Sequence, residues 1–157
     1  MYNIKEVIMR KLTVKDMLWI ESIAKIQEYY IEKRETHYNA THLSIGLRQD
    51  MIIQRLKHSN DIILIELSED TQRLISFIWG HFEAVQEKVI TEMIYTDPHF
   101  RGLGHAKRLK IALENWAIEM GAKSIEGMVD ATNDAMIELN KANGYAISHV
   151  KMRKDLR

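Results

Sequence analysis

The stretch that most constrains this chain runs from Lys88 to Met120. "KVITEMIYT" alternates as a strand does, and "AKRLKIALENWAIEM" repeats at helical spacing. Between them stand the only proline, Pro98, and two glycines, Gly102 and Gly104. The period switches from 2 to 3.6 within one short turn, so a strand feeds directly into a helix. On the helix Ala106, Leu109, Leu113, Trp116, Ala117 and Met120 recur at steps of three and four, giving one apolar face, and Gly121 ends it. Such a unit belongs to the mixed α/β class.

The turn also predicts chemistry. The first N–H groups of a helix have no partner inside it. Glycine lets a preceding loop bring its own N–H groups close to a ligand. Together they make a concave anion site suited to phosphate. Arg101, Lys107, Arg108 and Lys110 add positive charge, and no acidic residue lies between Pro98 and Lys110. Cations are unfavourable at a helix start unless an anion sits there. A plain glycine turn before a solvated basic face is the simpler reading of a lone G-x-G. The dinucleotide pattern G-x-G-x-x-G fails because its third glycine position is Lys107, and the P-loop pattern is absent.

The rest of the chain reads as residues 4–11 strand, 16–34 helix with Asp16 as N-cap, and 43–57 helix with Leu43, Leu47, Met51, Ile52 and Leu56 on one side. "DIILIELSE", "RLISFIWGHFEA" and "KVITEMIYTD" read as three strands, and "KSIEGMVDA" as a fourth after the long helix. Asn133 caps a short helix, "DAMIELNKAN", and "YAISHVKMRKDL" is expected as a closing strand. The order is β-α-α-β-β-β-α-β-α-β, expected as a single domain over residues 1–157.

Composition narrows the function. The 22 Lys+Arg balance 22 Asp+Glu, so the formal net charge is zero, which argues against a general nucleic-acid binder. With no cysteine there is no disulfide, thiolate metal site or cysteine nucleophile. The seven histidines form no ligand pair at metal spacing, so no metal is expected. "MYNIKEVIMRK" is too charged for a signal peptide and "IILIEL" too short to span a bilayer. No membrane association and a cytoplasmic location are the expectation.

Three stretches carry a family resemblance. Arg101-Gly102-Leu103-Gly104-His105-Ala106 matches the Q/R-x-x-G-x-G/A motif of the GCN5-related N-acetyltransferase (GNAT) superfamily. Upstream, "EMIYTDPHFRG" is similar to the family's E-x-L-x-V-x-P-x-x-R-G. Downstream, "NDAMIELNKANGY" resembles N-x-x-A-x-x-L-Y-x-K-x-G-F. The resemblance is specific from Glu92 to Tyr145. It implies a twisted mixed sheet flanked by about four helices and splayed open near its middle, with acetyl-CoA in the opening. It also implies transfer of an acetyl group to the primary amine of a small molecule or peptide, by direct attack in a ternary complex. The implied cofactor contacts are the backbone of Ile94, Tyr95 and Thr96 for the pantetheine arm and the run Arg101, Gly102, Leu103, Gly104, His105, Ala106 and Lys107 for the pyrophosphate. Asn133 matches the family's asparagine near the arm and is equally a helix cap.

An amine attacks only as the free base, so something must accept its proton. Glu92 occupies a position where many family members carry a base or a water-positioning acid, with a solvated strand glutamate as the simpler reading. Glu126, on the neighbouring strand, is a weaker alternative, and His81 and Glu83 are within expected reach of the sheet opening with no motif to support them. The tyrosine that often protonates the leaving thiolate is Asn140 here, which cannot donate a proton. That substitution favours an alternative, a binding module that keeps the acyl-CoA cleft without turnover. Tyr145 reads as packing; Trp19, Tyr29, Tyr30 and Tyr38 read mainly as core, with Tyr30 or Tyr38 as the candidates for an acceptor-pocket aromatic. A closing strand would leave an unpaired edge, which Lys151, Arg153, Lys154 and Arg157 blunt or a homodimer covers.

Overall fold

A computed structural model describes residues 7–70 and 72–156. It forms two compact units, Met1–Gly127 and Met128–Arg157. The start of the first expected strand, residues 4–6, lies outside the described residues.

The first unit holds a five-stranded sheet in the order β1-β2-β3-β4-β5. The strands are β1 (Val7–Lys11), β2 (Asp61–Ser68), β3 (Leu74–Glu83), β4 (Lys88–Thr96) and β5 (Ser124–Gly127). β1 to β4 pair antiparallel, and β4 pairs β5 in parallel, so the sheet is mixed. Two helices, α1 (Met17–Arg34) and α2 (His42–His58), connect β1 to β2, and α3 (His105–Glu119) connects β4 to β5.

β2 is buried along nearly its whole length, which is why "DIILIEL" lacks alternation: both its faces are covered. One face packs on α1 and α2 through Ile20, Ile23, Ile52, Ile63, Ile65, Phe77 and Trp79. The other packs on α3 through Ile62, Ile78, Val89, Leu109 and Leu113. A Cβ on Gly80 would lie 2.4 Å from Leu113 Cδ1, so the glycine is what lets α3 close on β3.

α2 begins with a capping box. Thr41 Oγ1 accepts from Ser44 N–H at 3.0 Å, and Ser44 Oγ accepts from Thr41 N–H at 2.8 Å. Met51, Ile52 and Leu56 pack on the core as expected, while Leu43 and Leu47 are exposed and Ile45 is buried in their place, which corrects the face in the first half of the helix. Asp16 does stand at the N-cap of α1, but its carboxylate turns back to Thr13 N–H and Arg10 instead of capping the helix.

Two strand expectations are corrected. β5 stops at Gly127 rather than running to Ala131: its pairing with β4 spans only Lys88 to Thr91 and ends where β4 bulges at Glu92. In the second unit, α4 (Asp134–Ala142) forms as expected, with Asn133 Oδ1 accepting from Met136 N–H at 3.1 Å. Residues 145–156 contain no strand. A strand exists only as a member of a ladder, and the alternation of "ISHVKM" finds none among the described residues. The homodimer expectation loses the strand edge on which it rested.

A candidate active site on the fourth strand and the glycine turn

β3 and β4 fall out of step between Trp79 and Gly80: Trp79 pairs with Met93, Gly80 with Thr91, and Glu92 is the extra residue of a β-bulge. A bulge bends its strand and re-aims a side chain. Pairing with β5 ends at the same place, so beyond Thr91 the outer edge of β4 has no strand partner among the described residues. Asp97 N–H donates to Ile75 C=O at 2.8 Å. By the alternation of an antiparallel ladder, Tyr95 then exchanges its bonds with Phe77, and Ile94 and Thr96 turn their N–H and C=O groups to the open edge. Tyr95 faces inward, with its ring 5.8 Å from that of Phe77, and burial raises its hydroxyl pKa. The three expected arm positions therefore divide: Ile94 and Thr96 turn their backbone groups to the open edge, and Tyr95 bonds across the ladder to Phe77. Arg101 Nε already donates to Thr96 C=O at 3.0 Å.

A 3₁₀ turn at Pro98–Phe100 leads from β4 into the glycine turn. Gly102 and Gly104 have φ of 77° and 87°, a region that costs an L-residue about 1–2 kcal/mol. Gly104 is the N-cap of α3 and brings no side chain to cap it, and the first helical turn contains no acid. The N–H groups from Gly102 to Lys107 have no acceptor among the described residues. Six successive donors, open space around Gly102, and the exposed cations Arg101 and Lys107 fit a pyrophosphate. The open edge of β4 beside them fits an amide-bearing chain that pairs as a strand does.

The structure changes the role of three residues in the turn. Lys110 is buried, with its pKa lowered by that burial, and does not surround the anion site. Arg108 turns inward: Nε lies 3.2 Å from Glu66 Oε1 and Nη2 lies 2.7 Å from His105 Nδ1. The His105 ring is itself buried, 2.6 Å from Glu66 Oε2, which also accepts from Ser76 Oγ at 2.6 Å. His105 thus brings a backbone amide to the turn and uses its ring to pin the turn onto β2. Glu66 was invisible as a site residue, although a lone acid inside "IILIELS" is the signal that could have marked it.

Glu92 accepts from Arg55 Nη2 through Oε1 at 2.8 Å, and its side chain is 30% exposed. Arg55 Nε reaches the fully buried Asp61 Oδ2 at 2.9 Å, and the guanidinium lies 4.8 Å from the centre of the Trp79 ring. Trp79 Nε1 donates to Asp61 Oδ2 at 2.6 Å, and His81 Nδ1 lies 2.7 Å from Asp61 Oδ1. Glu126 is exposed and paired with Lys88 at 2.8 Å. Glu83 accepts from the N–H groups of Val85 and Gln86 and so serves its hairpin turn.

Between α1 and α2 lies a cavity of about 260 Å³, lined by Glu28, Tyr38, Ser44, Leu47, Arg48 and Met51. Glu28 is 1% exposed, accepts from the Tyr38 hydroxyl, and pairs with Arg48 Nη2 at 2.7 Å. Burial alone would raise its pKa, but the hydrogen bonds from Tyr38, Arg48 and Ser44 hold it below the ordinary value. Tyr38 lines this cavity, and Tyr30 is exposed beneath Arg34. Among the described residues no cluster of three or more His, Asp or Glu could hold a metal ion, and no helix is long and apolar enough to cross a membrane.

Known proteins give an independent comparison. Residues 19–145 match the sequence model of the acetyltransferase (GNAT) family. A comparison with curated proteins finds no match. Among solved structures, a protein of Staphylococcus aureus subsp. aureus described as a GNAT family acetyltransferase is 46% identical, with a TM-score of 0.70. That alignment covers 76% of this chain and 98% of the other. A protein of Clostridium acetobutylicum, described as a predicted acetyltransferase and solved with acetyl-CoA, has a TM-score of 0.73 at 19% identity, covering 96% and 97%. An aminoglycoside acetyltransferase from an uncultured soil metagenomic sample, solved with sisomicin, has a TM-score of 0.70 at 13% identity, also covering 96% and 97%. The last two share the fold. With a family model spanning most of its length, and a bulged, open-edged strand leading into a glycine turn, the chain belongs to the acetyltransferase (GNAT) family.

Proposed function

We propose that this protein is an acetyl-CoA-dependent N-acetyltransferase that moves the acetyl group to the primary amine of a small molecule or peptide by direct attack in a ternary complex. One observation carries the reading: the unpaired amides from Gly102 to Lys107 open α3 directly beside the unpaired edge of β4. Those amides, with Arg101 and Lys107, hold the pyrophosphate. The backbone of Ile94 and Thr96 pairs with the pantetheine arm, and Asn133 is assigned to that arm on the family motif alone. Acetyl-CoA supplies the acetyl group activated as a thioester. Glu92, aimed out of the sheet by the bulge and fixed through Oε1 by Arg55, takes a proton from the attacking nitrogen. In support, a structurally similar protein was solved with acetyl-CoA and another with an aminoglycoside.

Asn140 favours a second reading, an acyl-CoA-binding module without turnover, because it stands where many family members carry the acid that protonates the leaving thiolate. A thiol's pKa near ~8.5 makes the thiolate a fair leaving group without that acid, so transfer remains the first reading. Calorimetry with acetyl-CoA, followed by thiol release across a panel of polyamines, aminoglycosides and lysine peptides, separates them. Binding with release supports the transferase, binding without release supports the module, and absence of binding overturns both.

A further inference from the structure

Acylating a primary ammonium removes two protons from its nitrogen, since R–NH₃⁺ becomes R–NH–CO–CH₃. Glu92 can take one at a time, and its Oε1 is already committed to Arg55. A second acceptor is built on the same face of the sheet. Trp79 packs toward α1 and α2, Gly80 faces Leu113 on α3, and alternation returns His81 to the Trp79 side. There its Nδ1 lies 2.7 Å from Oδ1 of Asp61, whose side chain is 0% exposed. Asp61 Oδ2 is held by Trp79 Nε1 and Arg55 Nε, so this carboxylate has one orientation. A carboxylate on Nδ1 makes that nitrogen the N–H donor and leaves the lone pair on Nε2. Nε2 has no partner among the described residues, and the side chain is 26% exposed. The same guanidinium that fixes Asp61 also fixes Glu92, which ties the imidazole and the glutamate into one network.

We infer that His81 Nε2 accepts the first proton, the one that frees the amine lone pair, and that Asp61 is the positioning residue that sets its tautomer. The inference rests on the proposed acetyl transfer. One ammonium proton passes to Nε2, and the freed nitrogen pair forms the C–N bond to the acetyl carbonyl carbon. The C–S bond breaks with its electron pair on sulfur. The second nitrogen proton passes by way of Glu92 to that sulfur, giving the thiol, and His81 returns its proton to solvent. An imidazole nitrogen is a more basic acceptor than a carboxylate oxygen for a proton leaving an ammonium. Asp61 from β2 is the charged group on the ring; through it the ring is linked to Arg55 from α2, and through Arg55 to Glu92 from β4. Lys88 and Glu126 are paired with each other.

The first test needs no substrate. Nitrogen-15 NMR of the full-length free protein, with the His81 signal assigned by its loss in His81→Gln, is expected to show the Nδ1–H tautomer at neutral pH. A ring protonated on Nε2 overturns the inference whatever the kinetics show. Asp61→Asn is expected to shift that signal and to slow modification of His81 by diethylpyrocarbonate, and unchanged tautomer and reactivity would remove Asp61 from the role. The second test measures thiol release from acetyl-CoA with spermidine or a lysine peptide. His81→Gln is expected to lose on the order of a hundredfold in kcat/KM near neutral pH, with acetyl-CoA affinity unchanged. The deficit should shrink as pH rises toward the pKa of the amine, because the acceptor then arrives deprotonated. A deficit equal at every pH, or no deficit, overturns the inference. Failure of the wild-type protein to bind acetyl-CoA would sink the proposed function and leave the tautomer result to stand or fall separately.

Discussion

Arg55 Nη2 donates to Glu92 Oε1 at 2.8 Å, and this contact turns a strand glutamate into a fixed carboxylate at the one place where β4 bulges. Glu92→Gln keeps the shape and removes the charge. Turnover is expected to fall on the order of a hundredfold while acetyl-CoA affinity stays the same, since a base acts on the acceptor. Steady-state kinetics beside calorimetry checks this. A variant within about threefold of wild type would remove Glu92 from the chemistry.

Gly104→Val tests the glycine turn. At φ 87° a β-branched residue is strained, and its side chain stands where a phosphate would approach. Acetyl-CoA binding should disappear while the far-ultraviolet circular dichroism spectrum remains native. Unchanged affinity in calorimetry would place the pyrophosphate elsewhere.

Arg48→Met leaves Glu28 buried without its cation. Breaking a buried pair from one side costs about 3–5 kcal/mol. The double variant Glu28→Gln with Arg48→Met should recover part of the loss, because no unpaired charge is left behind. Urea unfolding of the single and double variants measures both, and equal midpoints for wild type and Arg48→Met would show that the pair does not brace α1 against α2.

Asp16 contributes a pH dependence whose sign is fixed. The hydrogen bond from Arg10 lowers its pKa from 3.8 to about 2. A carboxylate lowered on folding stabilises the native state above its unfolded pKa, and that stability is lost as pH falls through about 2. Because the pair is partly open to solvent, the contribution is on the order of 1 kcal/mol or less at low ionic strength and smaller in salt. Asp16→Asn should therefore be less stable than wild type at pH 6 and converge with it near pH 2. Parallel Tm curves across that range would contradict the assignment.

Local pattern set much of the architecture. Periodicity placed four helices and six strands in order, and the four helices and five of the strands form, because the 2.0 and 3.6 repeats are properties of adjacent residues. The glycine turn was equally legible, since positive φ at Gly102 and Gly104 and uncapped amides at a helix start follow from residue type and position. The motif from Arg101 to Ala106 carried the family for the same reason. What pattern could not supply was partnership across the fold. "ISHVKM" alternates as a strand should, yet forms none, because a ladder needs a neighbour that sequence does not name. Lys110 reads as one more cation of the turn and is buried, because a helix rotates each side chain by 100° and only packing fixes which face is inside. Arg55 and Asp61 lie six residues apart in the chain, on different elements, and Glu92 joins them only because a bulge turns its side chain toward α2. Residue types within one turn determined the positive-φ glycines and open amides at the start of α3; the packing of α2 against β2, β3 and β4 decided which carboxylates and which imidazole stand together, because the energy that places a buried charge comes from the groups that surround it in space.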